Sequence, residues 1–212
     1  MFTSRKLPPA PDLESARKNA RILNIDDQEW PYQPLLERDG YHVERWAEIR
    51  TLTQLTDGHY NLILLDIQGV GMTESQKLQG LGILEHIKRT NPAQSVIVYS
   101  SKAQKPSMNK YISMADAVLD KADPYVEFKS AIDDLIVNRT SFDYFVAVMN
   151  RELGTDAARA PKAVQYALAS VRRNDTDQLG RYLEKVLTNG QKITTVLGIV
   201  AAGVKVVRAF AA

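Results

Sequence analysis

The stretch YNLILLDIQGVG, Tyr60 to Gly71, constrains the fold of this chain more than any other. Leu62 to Leu65 are four apolar residues in a row. A short, unbroken apolar run is the pattern of a strand covered on both faces, as in a parallel sheet. The run ends on an acid, Asp66, and enters a glycine-containing loop. Open α/β sheets place their chemistry just beyond the carboxyl ends of their strands. Three other runs end in the same manner: Ile22–Ile25 on Asp26-Asp27, Val96–Tyr99 on Ser100, and Ala117–Leu119 shortly before Lys121.

Between these runs the pattern alternates. Strands are expected at Arg21–Ile25, Tyr41–Trp46, Asn61–Leu65, Ser95–Tyr99 and Ala117–Leu119. Pro31 suits the first turn of a helix running to Arg38, and Asp39-Gly40 turns the chain. Ile49, Leu52 and Leu55 recur at spacings of three and predict a helix over Ala47–Thr56. Leu81–Arg89 reads as a helix stopped by Asn91-Pro92. Pro106–Met114 reads as another, and Pro124 opens one carrying Phe128, Ile132, Leu135 and Ile136. Five strands alternating with five helices predict a doubly wound, five-stranded parallel sheet of the flavodoxin-like type, with right-handed crossovers.

After Asn138 the strand signals stop, so residues 139–212 are expected to form a small all-α domain, with the sheet domain at 21–138. Ser141 suits the cap of a helix to Leu153, with Gly154 just past its end. Pro161–Arg173, Asp175–Thr188 and a last helix from Gln191 follow. On that last helix Ile193, Val196, Leu197, Val200, Val204 and Val207 share one face. Lys205 and Arg208 interrupt it short of the ~20 apolar residues of a membrane span, so the face is expected to pack in the helical domain or on a second subunit. Residues 1–20 are too polar for a secretory signal and read as a flexible leader with a short helix from Asp12; a cytoplasmic location is the expectation.

Composition excludes several chemistries. There is no cysteine, hence no disulfide framework and no metal site built on sulfur. His42, His59 and His86 are scattered, and no nucleophile–His–acid arrangement emerges; Trp30 and Trp46 read as packing residues. Residues 1–138 hold 16 basic and 19 acidic side chains, residues 139–212 hold 11 and 6. The basic surplus of the second part reads as a solvated surface, because no recognition helix with base-reading residues is evident.

In a doubly wound sheet the strand ends of Asp26, Asp27 and Asp66 can converge. Three carboxylates in one place repel and raise one another's pKa, and a divalent cation removes that penalty. An all-oxygen donor set favours Mg²⁺ or Mn²⁺ over zinc. A lysine at a neighbouring strand end suits a phosphoryl oxygen, and a hydroxyl there can donate to another.

This combination resembles the receiver domain of two-component response regulators: Asp26-Asp27 after strand one, Asp66 after strand three, Ser100 after strand four, Lys121 after strand five. The resemblance covers about residues 20–138. It implies that Asp66 accepts a phosphoryl group as a carboxylate nucleophile. It implies that Asp26, Asp27, Asp66 and the backbone carbonyl of Gln68 hold Mg²⁺. Ser100 would track the phosphoryl group, and Lys121 would pair with Asp66 and then with a phosphoryl oxygen. The implied partners are a sensor histidine kinase or phosphotransfer protein, and a second copy through the C-terminal helices. The implied role is signalling, with no enzymatic turnover beyond slow autodephosphorylation.

Departures from the family pattern leave two rival readings. The Met-Pro pair that usually follows the acceptor is replaced by Gly69-Val70-Gly71. The helix-starting glycine, matched to Gly80, comes late and leaves Met72–Gln79 as an enlarged loop. The aromatic switch position falls on Val118, and Asp123-Pro124 displaces the proline that usually follows the lysine directly. A receiver-like adaptor independent of phosphorylation, and a DNA-binding regulator with a basic tail, are the rivals.

Overall fold

In a computed structural model, described for residues 12–101 and 108–211, the chain forms one five-stranded parallel sheet and a set of helices around it. The strands are β1 (Arg21–Ile25), β2 (His42–Trp46), β3 (Leu62–Asp66), β4 (Ser95–Ser100) and β5 (Ala117–Asp120). Their order is β2-β1-β3-β4-β5, the doubly wound order expected, with every pairing parallel. β3 and β4 are buried at every residue, whereas the edge strands β2 and β5 alternate in exposure. The unbroken apolar run at Leu62–Leu65 thus marks a central strand, because only there does the sheet have cover on both faces.

Each face carries its own core. Leu23, Ile25, Ile63, Leu65, Val96 and Val98 pack against Leu81, Leu84 and Ile87 of α3 (Gly80–Thr90) and Ile112 of α4 (Asn109–Ile112). On the opposite face Ile22, Leu62, Leu64, Ile97 and Tyr99 meet Phe128, Ile132 and Ile136 of α5 (Tyr125–Asn138) and Leu36 of α2 (Gln33–Arg38). Strand residues of one parity serve one face, so Asn24, Asp26 and Asp66 share the side of Ile22 and Leu64.

Two expectations are corrected and one is sharpened. Residues 47–51 are bent and irregular and residues 52–56 are turns, so no helix forms here. Local side-chain bonds compete with the helix there: Thr56 Oγ1 bonds the Leu52 and Thr53 carbonyls, and Glu48 accepts from the backbone of Ile49 and, across the site loop, of Gly71. Leu55 is still buried, and Ile49 and Leu52 pack on the α3 face, so the spacing of three signalled burial without helicity. The short helix expected from Asp12 is present as α1 (Leu13–Asn19), and it is docked on α5 instead of belonging to a flexible leader. Asp12 caps it, Ala16 is buried, and Arg17 bonds Asp133 of α5 at 2.6 and 2.9 Å. Of the helix expected at Pro106–Met114, residues 106–107 lie outside the described residues and the regular part is the single turn of α4.

The remaining helices are α6 (Phe142–Leu153), α7 (Ala163–Arg173), α8 (Asp177–Val186) and α9 (Gly190–Ala211), with a 3-10 turn at Gly154–Ala158. Ser141 caps α6 by accepting from the Tyr144 amide, and Gly154 ends it with φ +53°. Phe142, Phe145, Met149 and Leu153 of α6, Ala163 and Ala167 of α7, and Leu179 and Leu183 of α8 enclose Val196, Val200, Val204 and Val207 of α9. The apolar face of the last helix is therefore spent inside the molecule. Among the described residues no helix is long and apolar enough to cross a membrane.

α9 also lies across the loops that feed the amino ends of the strands. Lys205 reaches Asp57 at 2.9 Å. Gly58, with φ +79°, sits so close that a Cβ there would lie 2.8 Å from the Ala202 Cα. Nearby, Asp116 joins Lys88 (2.5 Å) and Arg139 in a nearly buried ion cluster and accepts from the Val96 amide. Among the described residues, the carboxyl ends of β1 and β3 lead into loops.

Candidate functional site

At the carboxyl ends the topology gathers four of the side chains expected to act together. β1 and β3 are neighbours, with Ile25 opposite Leu65, so Asp26 and Asp66 leave adjacent strands on one face. Both are nearly inaccessible, at 1% and 4% exposure, while Asp27 beside them is exposed. Asp26, Asp27 and Asp66 each present a carboxylate oxygen within 4.8 Å of the others. Lys121, just past β5, reaches in with its Nζ 2.7 Å from Asp66 Oδ2 and 2.9 Å from Asp26 Oδ2. The backbone amides of Gln28 and Gln68 donate to Asp26 Oδ1 (2.8 Å) and Asp66 Oδ1 (3.2 Å).

Ser100 ends β4, the strand beside β3, and is buried. Its carbonyl accepts from the Lys121 amide, which ties the two strand ends together. Gln68 faces Asp66 through its amide. The loop beyond is closed on itself: Gln79 Oε1 accepts from the Gly69 amide at 3.0 Å, and Gln79 holds φ +52°. Gly80, which opens α3, must lack a side chain, since a Cβ would stand 2.1 Å from the Asp66 carbonyl oxygen. The enlarged loop thus returns to the acceptor position by close backbone contact. Val118, at the expected aromatic position, is exposed on the edge strand.

Burial pushes the Asp66 carboxyl above its ordinary value; Lys121 and the Gln68 amide pull the other way, and Asp26 adds to the rise. Burial works against the Lys121 ammonium, but hydrogen bonds to Asp66 and Asp26 outweigh it and raise its pKa. Among the described residues, three acids around Lys121 leave an excess of negative charge, two of them buried. The all-oxygen donor set, the clustered ligand atoms and the exposed flank at Asp27 fit a hydrated divalent cation such as Mg²⁺.

Sequence reasoning passed over two participants. Tyr99 Oη lies 2.9 Å from Asp26 Oδ2 and 2.6 Å from Asn24 Oδ1, beneath the acids. Burial, with the charges of Asp26 and Asp66, drives this phenol well above its ordinary pKa, so it stays protonated. Its ring lies under Lys121, with Nζ 5.3 Å from the centroid. The available signal was polarity out of place. Asn24 interrupts the buried run RILNI and Tyr99 the run VIVYS, and a buried polar group needs a partner.

No protein-family model matches the sequence, and no curated protein matches it. Solved structures do align. A CheY-like response regulator receiver domain protein from Methanospirillum hungatei JF-1 aligns at 23% identity over 57% of this chain and 95% of its own, with a TM-score of 0.48. TrrA from Thermotoga maritima, in complex with Mg²⁺-BeF, aligns at 23% identity over 55% and 98%, TM-score 0.45. NtrX from Brucella abortus, in complex with ATP, aligns at 19% identity over 72% of this chain, TM-score 0.47, with 35% of its own length spanned.

Proposed function

We propose that this chain is a response regulator of a phosphorelay: a receiver that accepts a phosphoryl group on Asp66 and signals through its C-terminal helices. The observation that carries this reading is the cluster of three carboxylate oxygens within 4.8 Å, with Lys121 bridging Asp26 and Asp66. A purely structural ion pair needs one acid for one lysine. Here, among the described residues, two acids are left over at the strand ends where this fold does its chemistry.

Asp26, Asp27, Asp66 and the Gln68 carbonyl would hold Mg²⁺, which offsets negative charge where the phosphoryl oxygens arrive. An Asp66 carboxylate oxygen attacks the phosphorus of a phosphohistidine or of a small acyl phosphate. The P–N or P–O bond to the donor breaks as the acyl phosphate forms, and the leaving group carries off the bonding pair. Lys121 exchanges its contact with Asp66 for one to a phosphoryl oxygen, and the Ser100 hydroxyl donates to another. The shift of Ser100 biases a two-state equilibrium of the α4–α5 face. Residues 139–212 convert that bias into dimerisation or contact with a partner protein. A sensor histidine kinase or phosphotransfer protein is the donor.

Intact mass after incubation with acetyl phosphate and Mg²⁺ tests this reading, with sizing of the same samples. A single phosphoryl adduct is expected on the wild type and none on Asp66→Asn. No adduct from that donor or from a panel of histidine kinases would overturn the phosphorelay reading in favour of an adaptor independent of phosphorylation.

A further inference from the structure

We infer that Tyr99 is a positioning residue of the acidic site, acting through Asp26 to set how tightly the site takes a divalent cation. The inference rests on the proposed cation site and adds a residue that none of the expected roles includes.

The hydrogen bonds beneath the acids have one consistent arrangement. Tyr99 Oη faces two acceptors, Asn24 Oδ1 at 2.6 Å and Asp26 Oδ2 at 2.9 Å, but a phenol has one proton. Asn24 Nδ2, meanwhile, is buried and has no partner among the described residues. Half a turn of the Asn24 amide brings Nδ2 to Oη, so that Asn24 donates to the phenol and the phenol donates to Asp26. Three buried polar groups then form a directed chain from β1 to β4 and back to β1. The phenol proton has one place to go, the oxygen of Asp26 that Lys121 also contacts at 2.9 Å.

The ring itself is fixed. It packs 5.9 Å from both Trp30 and Phe128, centroid to centroid, and is fully buried. Its upper side lies under the Lys121 ammonium. One rigid side chain therefore holds both a candidate ligand and the cation that competes with the metal for it. Hydrogen bonds to ligating carboxylates orient them, and their loss lowers metal affinity by about 10–100-fold. Without the hydroxyl, Asp26 Oδ2 turns wholly to Lys121, and the site must break that pair before it takes a metal.

The test is Mg²⁺ titration of the full-length chain by calorimetry, for the wild type and Tyr99→Phe, with thermal melts without Mg²⁺ and the ultraviolet difference spectrum on Mg²⁺ addition. Tyr99→Phe is expected to bind about tenfold more weakly and, because Asn24 and Asp26 lose a buried partner, to melt somewhat lower while still unfolding cooperatively. The tyrosine difference band that Mg²⁺ evokes in the wild type is expected to vanish. Equal affinity in the two folded proteins, or a band that survives in Tyr99→Phe, overturns the inference and leaves the site reading intact. No Mg²⁺ binding by the wild type overturns both. Should Tyr99→Phe not fold, Asn24→Leu removes the donor that orients the phenol while keeping the phenol itself. It must weaken Mg²⁺ binding, and unchanged affinity overturns the inference.

Discussion

The two ends of the sheet each set lysine against carboxylate, and they do so with opposite balance. At the amino end one acid, Asp116, meets two cations, Lys88 and Arg139, and also accepts from the Val96 amide. Arg139 bonds the Tyr144 hydroxyl, and α9 seals the neighbouring loops through Lys205 and Ala202. At the carboxyl end one cation, Lys121, meets Asp26 and Asp66, with Asp27 on the exposed flank. The first arrangement satisfies its acid completely and holds the helical segment to the sheet. The second leaves negative charge uncompensated in a place where burial makes it expensive. The surplus separates a bolt from a binding site.

Removing the centre of the bolt should have the largest effect. Asp116→Ala leaves the buried Lys88 and its neighbour Arg139 without their acid, and is expected to lower stability by roughly 3–5 kcal/mol. The urea midpoint measures it, and Mg²⁺ affinity should stay near the wild-type value. A variant that lost both together would join the two ends into one unit and break the contrast between them.

Removing Lys121 at the other end should sharpen the contrast. Lys121→Met leaves three acids facing one another, so the metal-free protein melts lower while Mg²⁺ binds more tightly, by up to about tenfold. The rise in melting temperature on adding Mg²⁺ should therefore be larger than in the wild type. Acyl phosphate signalling through Lys121 should be lost in the same protein.

The smallest effect is a pH dependence. Burial holds the Asp66 carboxyl above its ordinary pKa, so its ionised form costs stability at neutral pH, and that cost disappears as the pH falls through the raised value. Without divalent cations, Asp66→Asn should melt slightly higher than the wild type at pH 7, and the gap should close on acidification. A gap that widens instead would mean that Lys121 outweighs burial at this carboxylate.

Much of this was legible in local pattern. The central strands show as unbroken apolar runs because both of their faces are covered. Ser141 and Gly154 bound α6 because capping and positive φ are properties of single residues. Asp26, Asp66 and Lys121 announce themselves by standing where apolar runs stop. The irregular path of residues 47–56 escaped, since spacings of three at Ile49, Leu52 and Leu55 report which side is buried and not which backbone hydrogen bonds win. The docking of α1 escaped because its partner, Asp133, lies 116 residues away in α5.

What the sequence by itself determined is the order of strands and helices and the residue types at the strand ends, because periodicity and turn chemistry act over a few neighbours. The tertiary structure alone decided which ends meet. The order β2-β1-β3-β4-β5 sets Asp26 beside Asp66, sends Lys121 across Tyr99, and brings Asn24 within hydrogen-bond reach of a phenol 75 residues later. It also turned the apolar face of α9 onto the helices of its own chain and onto the amino ends of the strands. These are contacts between segments distant in sequence, fixed by how the layers pack, and no local pattern carries them.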